Sequence, residues 1–139
     1  MGFEIVFLLY LLELSIEDLR KKQIRMVSLA IGCLFVLTSL WCVGNVSFAE
    51  RVVGSFLGIM FLLVSKLTRG AIGIADGILI LYLGVVFGIS VGIQVLCISF
   101  MLCCLFCMCK VVICHVSRKK RIPFVPFLFM GTVGILFLN

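Results

Sequence analysis

The chain has 139 residues, the size of one domain, and its 64% hydrophobic content against 13% charged residues excludes an ordinary water-soluble globule. So little polar sequence cannot cover a water-facing surface, and in lipid the backbone must satisfy its own hydrogen bonds, so the composition predicts an all-α, polytopic membrane protein. The net charge of +6 falls in short basic clusters between apolar runs, which is the pattern of cytoplasmic loops and not of a nucleic-acid-binding face.

In chain order, the first apolar segment runs from about Gly2 to Ile16. It is short for a span of about 20 residues, and Glu13 and Glu17 sit in its last turns. No basic start and no small-residue cleavage site precede Asp18, which argues against a cleaved signal peptide. A basic loop with Arg20, Lys21, Lys22 and Arg25 follows, then a second span from Met26 to Val43. Gly44 to Arg51 reads as a turn and Val52 to Leu67 as a third span, flanked by Lys66 and Arg69. From Ala71 to Cys109 the chain is too long and apolar for one span. It is expected to fold back at Gly88-Ile89-Ser90-Val91-Gly92, giving spans four (Ile74 to Ser90) and five (Val91 to Cys109). Ile122-Pro123 opens span six, with proline tolerated in the first helical turn. The expectation is a single domain, residues 1–139, of about six transmembrane helices in one bundle.

Counting loops alternately, Arg20, Lys21, Lys22, Arg25, Lys66, Arg69, Lys110 and the Arg118–Arg121 cluster share one side, and Arg51 stands alone on the other. Eleven cations against one predict a cytoplasmic location for the first side, an outside N-terminus and a multi-pass topology in a cytoplasmic membrane. The basic cluster beside His115 is expected to anchor the chain at anionic lipid, with His115 an interfacial loop residue.

On this topology Asp18, at the inner end of span one, and Asp76, at the inner start of span four, lie at the same face. An ionisable group at the edge of a membrane segment is a functional-site candidate. Two neighbouring carboxylates share a proton, so one can act as base towards water and the other as acid towards a carbonyl oxygen. Gly73 and Gly77 leave the backbone uncovered on both sides of Asp76, where an extended substrate could approach. Glu13, one turn above Glu17 and about 6 Å deeper, is with Glu17 a candidate for tuning Asp18. The bland alternative is that each aspartate pairs with a loop cation such as Arg20 or Arg69.

Asp18-Leu19-Arg20 with Ile24, then Gly73-Ile74-Ala75-Asp76, then Ile122-Pro123-Phe124-Val125-Pro126-Phe127-Leu128 occur in an order that resembles the type IV prepilin peptidase family of GxGD-type membrane aspartyl proteases. The likeness runs from the first apolar segment to the last. It implies that Asp18 and Asp76 are the catalytic pair of an aspartic endopeptidase. It also implies a pilin-like protein substrate, whose short basic leader is removed just before its hydrophobic helix on the cytoplasmic side. The chain departs from the family's pattern at Arg25 and Met26, where proline and asparagine are usual, at Ala75 in place of the second glycine, and at Ile78 in place of a frequent lysine. The larger members carry an N-terminal extension with paired CxxC motifs associated with methylation. Here the first apolar segment begins at residue 2, so a short form that trims without methylating is expected.

Cys104-Leu105-Phe106-Cys107 matches CxxC inside an apolar segment, but no second pair stands at a matching spacing for the four ligands zinc needs. The eight cysteines read as small apolar filler, with no disulfide framework, metal or cofactor expected. The expected partners are the leader-bearing substrate and the lipid bilayer; oligomeric state is open. The competing readings are a small proton- or ion-coupled carrier with the aspartates as relay sites, and a non-catalytic pilus-assembly membrane protein. Carriers show paired broken helices in repeated halves, and this chain has one glycine-interrupted stretch and no repeat.

Overall fold

The computed structural model describes residues 2–21, 25–42, 44, 46–68, 73–114 and 122–138, and the described chain is helical with five elements: α1 (Gly2–Lys21), α2 (Met26–Cys42), α3 (Phe48–Leu67), α4 (Ile74–Cys114) and α5 (Val125–Leu138). Lys22, Ile24, Asn45, Arg69, His115, the Arg118–Arg121 cluster and Asn139 lie outside the described residues.

The all-α expectation agrees with these elements, but the count of about six spans does not. Among the described residues two helices, Phe48–Leu67 and Ile74–Ile113, are long and apolar enough to cross a membrane. The physical reasons are local. The helix begun by the first apolar segment continues through Glu17, Asp18, Arg20 and Lys21 to residue 21, so charge fills its last turns. α2 and α5 are apolar but only 17 and 14 residues long, short of the ~20 that a 30 Å core requires. Neither long helix is the buried centre of a soluble fold, because only 22% and 11% of their most apolar windows are buried. Large apolar side chains instead face outward, Trp41 at 94% exposure and Phe48 at 80%. The inside holds hydroxyls: Ser99 donates to the Val95 carbonyl at 2.6 Å and Thr132 to that of Leu128 at 2.8 Å. An apolar outside of this extent fits lipid and supports a membrane location.

The expected break in the longest apolar run is at Gly88, whose φ of 79° and ψ of 175° interrupt the helix. Only glycine adopts this conformation without strain. The two halves of α4 fold back on each other there. A Cβ placed on Gly92 would lie 3.6 Å from the Gly84 Cα, whereas eight residues of unbroken helix span about 12 Å.

The first half of α4 packs antiparallel on α3 through glycines. A Cβ on Gly54 would strike the Gly84 backbone, one on Gly58 would strike Leu81, and one on Gly77 would come 2.8 Å from Leu62. Paired in that order, 54 with 84, 58 with 81 and 62 with 77, these contacts define one close-approach seam of the small-xxx-small kind. α3 starts four residues before the expected Val52, because Ser47 and Glu50 form a reciprocal capping box.

Arg51 closes the kinked end. The residue is 6% exposed, and its guanidinium donates to the Val46 carbonyl at 3.4 Å and to the Val85 carbonyl at 3.3 Å. Val85 lies in the turn before Gly88, where helical carbonyls lose their in-line donors, and a cation at a helix C-terminus also complements the macrodipole. Arg51→Met, which keeps the stem and deletes these donors, is expected to destabilise the fold by about 2–3 kcal/mol. Thermal unfolding in detergent would read the change; an unaltered midpoint would show that the contacts contribute nothing.

α1 lies beside α2 and α5, and α5 with the residue just before it packs on the second half of α4 through Phe106–Phe127 and Phe100–Phe124 ring contacts at 5.3 and 5.2 Å between centroids. The core between them contains Phe7, Leu11, Leu14, Leu83, Val95 and Leu128. Pro123 precedes α5; it is Pro126 that occupies the helix's first turn, correcting the expected start at Ile122-Pro123.

Candidate active site

Asp18 stands in the last turn of α1, outside the two helices long enough to span, and is 7% exposed. Its Oδ2 accepts a hydrogen bond from the Val125 main-chain N–H at 3.4 Å, across 107 residues of sequence. The Phe124 carbonyl accepts from the N–H groups of Phe127 and Leu128 at 3.0 and 3.1 Å, so α5 effectively starts with Val125 and Pro126. Pro126 has no N–H to offer. Val125 therefore carries the open donor of the first two positions, and Asp18 takes it, as a capping side chain would from within the same helix. Burial pushes the Asp18 carboxyl up from the ordinary carboxylate range, and the bond from Val125 acts in the opposite direction.

Asp76 stands in the first turn of α4 and is half-buried. The Gly73 carbonyl accepts from the N–H groups of Asp76 and Gly77 at 3.1 and 3.4 Å, which makes Gly73 the residue on which the helix starts. The Asp76 carboxylate folds back over it: a Cβ on Gly73 would lie 2.9 Å from Asp76 Oδ2. Gly73 thus makes room for the carboxylate itself. Gly77 is buried against Leu62 in the α3–α4 seam, so its missing side chain serves helix packing and leaves no open backbone for a substrate. The fold-back at Gly88 also brings Cys103 within electrostatic range of Asp76.

These placements gather at one end of the bundle. The end of α1, the starts of α4 and α5, and the Cys103–Phe106 stretch of α4 meet there through the Asp18–Val125, Asp76–Cys103 and Phe106–Phe127 neighbourhoods. Glu17 and Glu13 are on other sides of α1. Glu17 accepts a hydrogen bond from the Ser28 hydroxyl at 2.7 Å, and Tyr10 donates to the Ser28 carbonyl at 2.7 Å, so both groups fasten α2 to α1. Glu13 is exposed and directed away from the buried Asp18 face. No group of three His, Cys, Asp or Glu side chains among the described residues could hold a metal ion. An apolar groove of about 440 Å³, lined by Leu57, Phe61, Ile93, Leu96, Cys97 and Phe100, opens between α3 and the second half of α4.

Sequence reasoning did not find the Val125 N–H. Its one local signal is Pro126, which marks a helix start and removes the neighbouring donor. No family model, curated protein or solved structure matches this chain.

Proposed function

We propose that the chain is a membrane aspartic endopeptidase that removes the short basic leader of pilin-like subunits, with Asp18 and Asp76 as its acid–base pair. The single observation that carries this reading is the position of the two aspartates at the same end of the bundle, Asp18 in the last turn of α1 against the start of α5 and Asp76 in the first turn of α4. The likeness of Asp18-Leu19-Arg20, Gly73–Asp76 and Ile122–Leu128 to the prepilin peptidases supplies the substrate class.

The environments divide the roles. Asp18 is the more deeply buried, and desolvation favours its protonated form. Asp76 is only half-buried in the first turn of α4 and is the more open of the two to water. Asp76 therefore takes a proton from water as the water oxygen attacks the scissile carbonyl, while Asp18 donates its proton to the carbonyl oxygen. As the tetrahedral intermediate collapses, Asp76 passes its proton to the leaving amine and Asp18 recovers its own from the hydroxyl. One water is consumed, and both carboxyls return to their starting states.

The protein is multi-pass in this reading, with the aspartate end towards the cytoplasm. Supporting this, the described cations Arg20, Lys21, Arg25, Lys66 and Lys110 border that end, while Arg51 sits at the Gly88 end. The test is coexpression with pilin-like subunits carrying a basic leader and an apolar helix, with the subunit N-terminus read by mass spectrometry. Loss of the leader that depends on this chain is the expected result. Normally inserted protein that leaves a panel of such subunits intact overturns the proposal.

A further inference from the structure

We propose that the main-chain N–H of Val125 is the positioning group for Asp18, holding Oδ2 as an acceptor and thereby fixing the carboxyl proton on Oδ1. The inference rests on the acid–base reading of Asp18 and gives a role to the Ile122–Leu128 segment, which that reading leaves without one.

A protonated carboxyl has one hydroxyl oxygen and one carbonyl oxygen, and only the carbonyl oxygen is a good acceptor for an N–H. Donation from Val125 to Oδ2 at 3.4 Å therefore selects Oδ1 as the proton-bearing atom. That bond is long, as catalytic hydrogen bonds often are before substrate tightens the site. The donor is well fixed. Val125 is fully buried, Leu128 one turn later is fully buried, and Phe124 and Phe127 are held by the rings of Phe100 and Phe106. The helix beginning at Val125 has no titratable side chain. On α1, Arg20 and Lys21 are exposed and Glu17 is engaged by Ser28. Asp76, on α4, shares this end of the bundle, and the hydrogen bond that Asp18 makes among the described residues is the one from this N–H. Without it the carboxyl can carry its proton on either oxygen and rotate, so a smaller fraction of molecules points the proton at the substrate carbonyl.

The test moves a proline by one residue. Pro126→Ala keeps the Val125 N–H and is the reference. Val125→Pro combined with Pro126→Ala removes that N–H and retains one proline in the first helical turn, where it is tolerated. Relative to the reference, the double variant is expected to lose roughly tenfold in kcat, the effect of one hydrogen bond, with KM for a leader-bearing subunit within about twofold. Its pH profile should shift too. The N–H lowers the Asp18 pKa, so its removal raises it, and the alkaline limb, where the acid loses its proton, should move to higher pH. A double variant with the reference kcat and pH profile overturns the inference while leaving the protease reading intact. Inactivity of the reference and wild-type chains alike would instead count against the protease. Should the double variant fail to insert, amide exchange at Val125 decides. Slow exchange in wild type and Asp18→Asn with faster exchange in Asp18→Ala supports the bond, and equal rates in all three overturn it.

Discussion

Asparagine in place of either Asp18 or Asp76 is expected to lower leader cleavage by about 10³-fold or more, within the range that general acid–base groups supply jointly. Asparagine is nearly isosteric and removes only the titrating group. In Asp18→Asn the side-chain oxygen can still accept from Val125, so the start of α5 should stay in place. In Asp76→Asn the amide still fits over Gly73, and the helix start at the Gly73 carbonyl is untouched. Because the two carboxyls act as one unit, their losses should not add, and the double variant should be barely slower than either single one. Glu13→Gln should do little, since Glu13 lies on the exposed side of α1. Glu17→Gln should weaken the α1–α2 contact through Ser28 more than it slows cleavage. The measurement is initial cleavage rate in membranes at matched protein level. Either single variant, normally inserted and cleaving at near the wild-type rate, would remove the paired-aspartate mechanism.

How much of this was legible in the chain differs from element to element. The helical class follows from composition, and the break in the long apolar run follows from Gly88 and Gly92, because glycine is the residue that tolerates the positive φ found there. The span count departs from the structure because the charged second half of α1 and the shortness of α2 and α5 leave two helices, among the described residues, long and apolar enough to cross a membrane. α1 is a full-length helix, but Glu13, Glu17, Asp18, Arg20 and Lys21 occupy its second half, and α5 starts at Val125, later than Pro123 suggested. The start of α3 is legible in Ser47-Phe48-Ala49-Glu50, a capping-box spacing that puts a helix start inside the stretch expected to be a turn. Asp76 is marked by standing among apolar residues, and Asp18 by closing the first apolar segment beside other charges. Their supports were not visible, because they depend on register between distant helices: Val125 is 107 positions from Asp18, and Gly77 meets Leu62 only once α3 and α4 are paired. A glycine beside a candidate aspartate cannot declare from sequence whether it clears a path for substrate or for a neighbouring helix.

That seam carries the largest expected effect on stability. Gly84→Leu should destabilise the protein by more than about 3 kcal/mol, the upper part of the range for overpacking, because the first added carbon already strikes the Gly54 backbone. Backbone cannot rotate aside as a side-chain tip can, so α3 and α4 must separate. The intrinsic helix preference for a residue other than glycine, worth about 1 kcal/mol at most, does not offset that. Gly134 is the internal control: no atom lies within 4 Å of a Cβ built there, so Gly134→Ala should be neutral or stabilising by up to about 1 kcal/mol. The effect on activity follows from the same register. Asp76 is eight residues from Gly84 on the same half of α4, about 12 Å along the axis, so forcing that half away from α3 displaces the carboxylate relative to Asp18. Gly84→Leu should therefore lose most cleavage together with its thermal stability, whereas Asp76→Asn loses cleavage at unchanged stability. Unfolding midpoints in detergent, measured beside cleavage rates for Gly84→Leu, Gly134→Ala and Asp76→Asn, separate the two kinds of loss. A Gly84→Leu chain as stable as wild type would mean that α3 and α4 do not meet along the Gly54–Gly84 line.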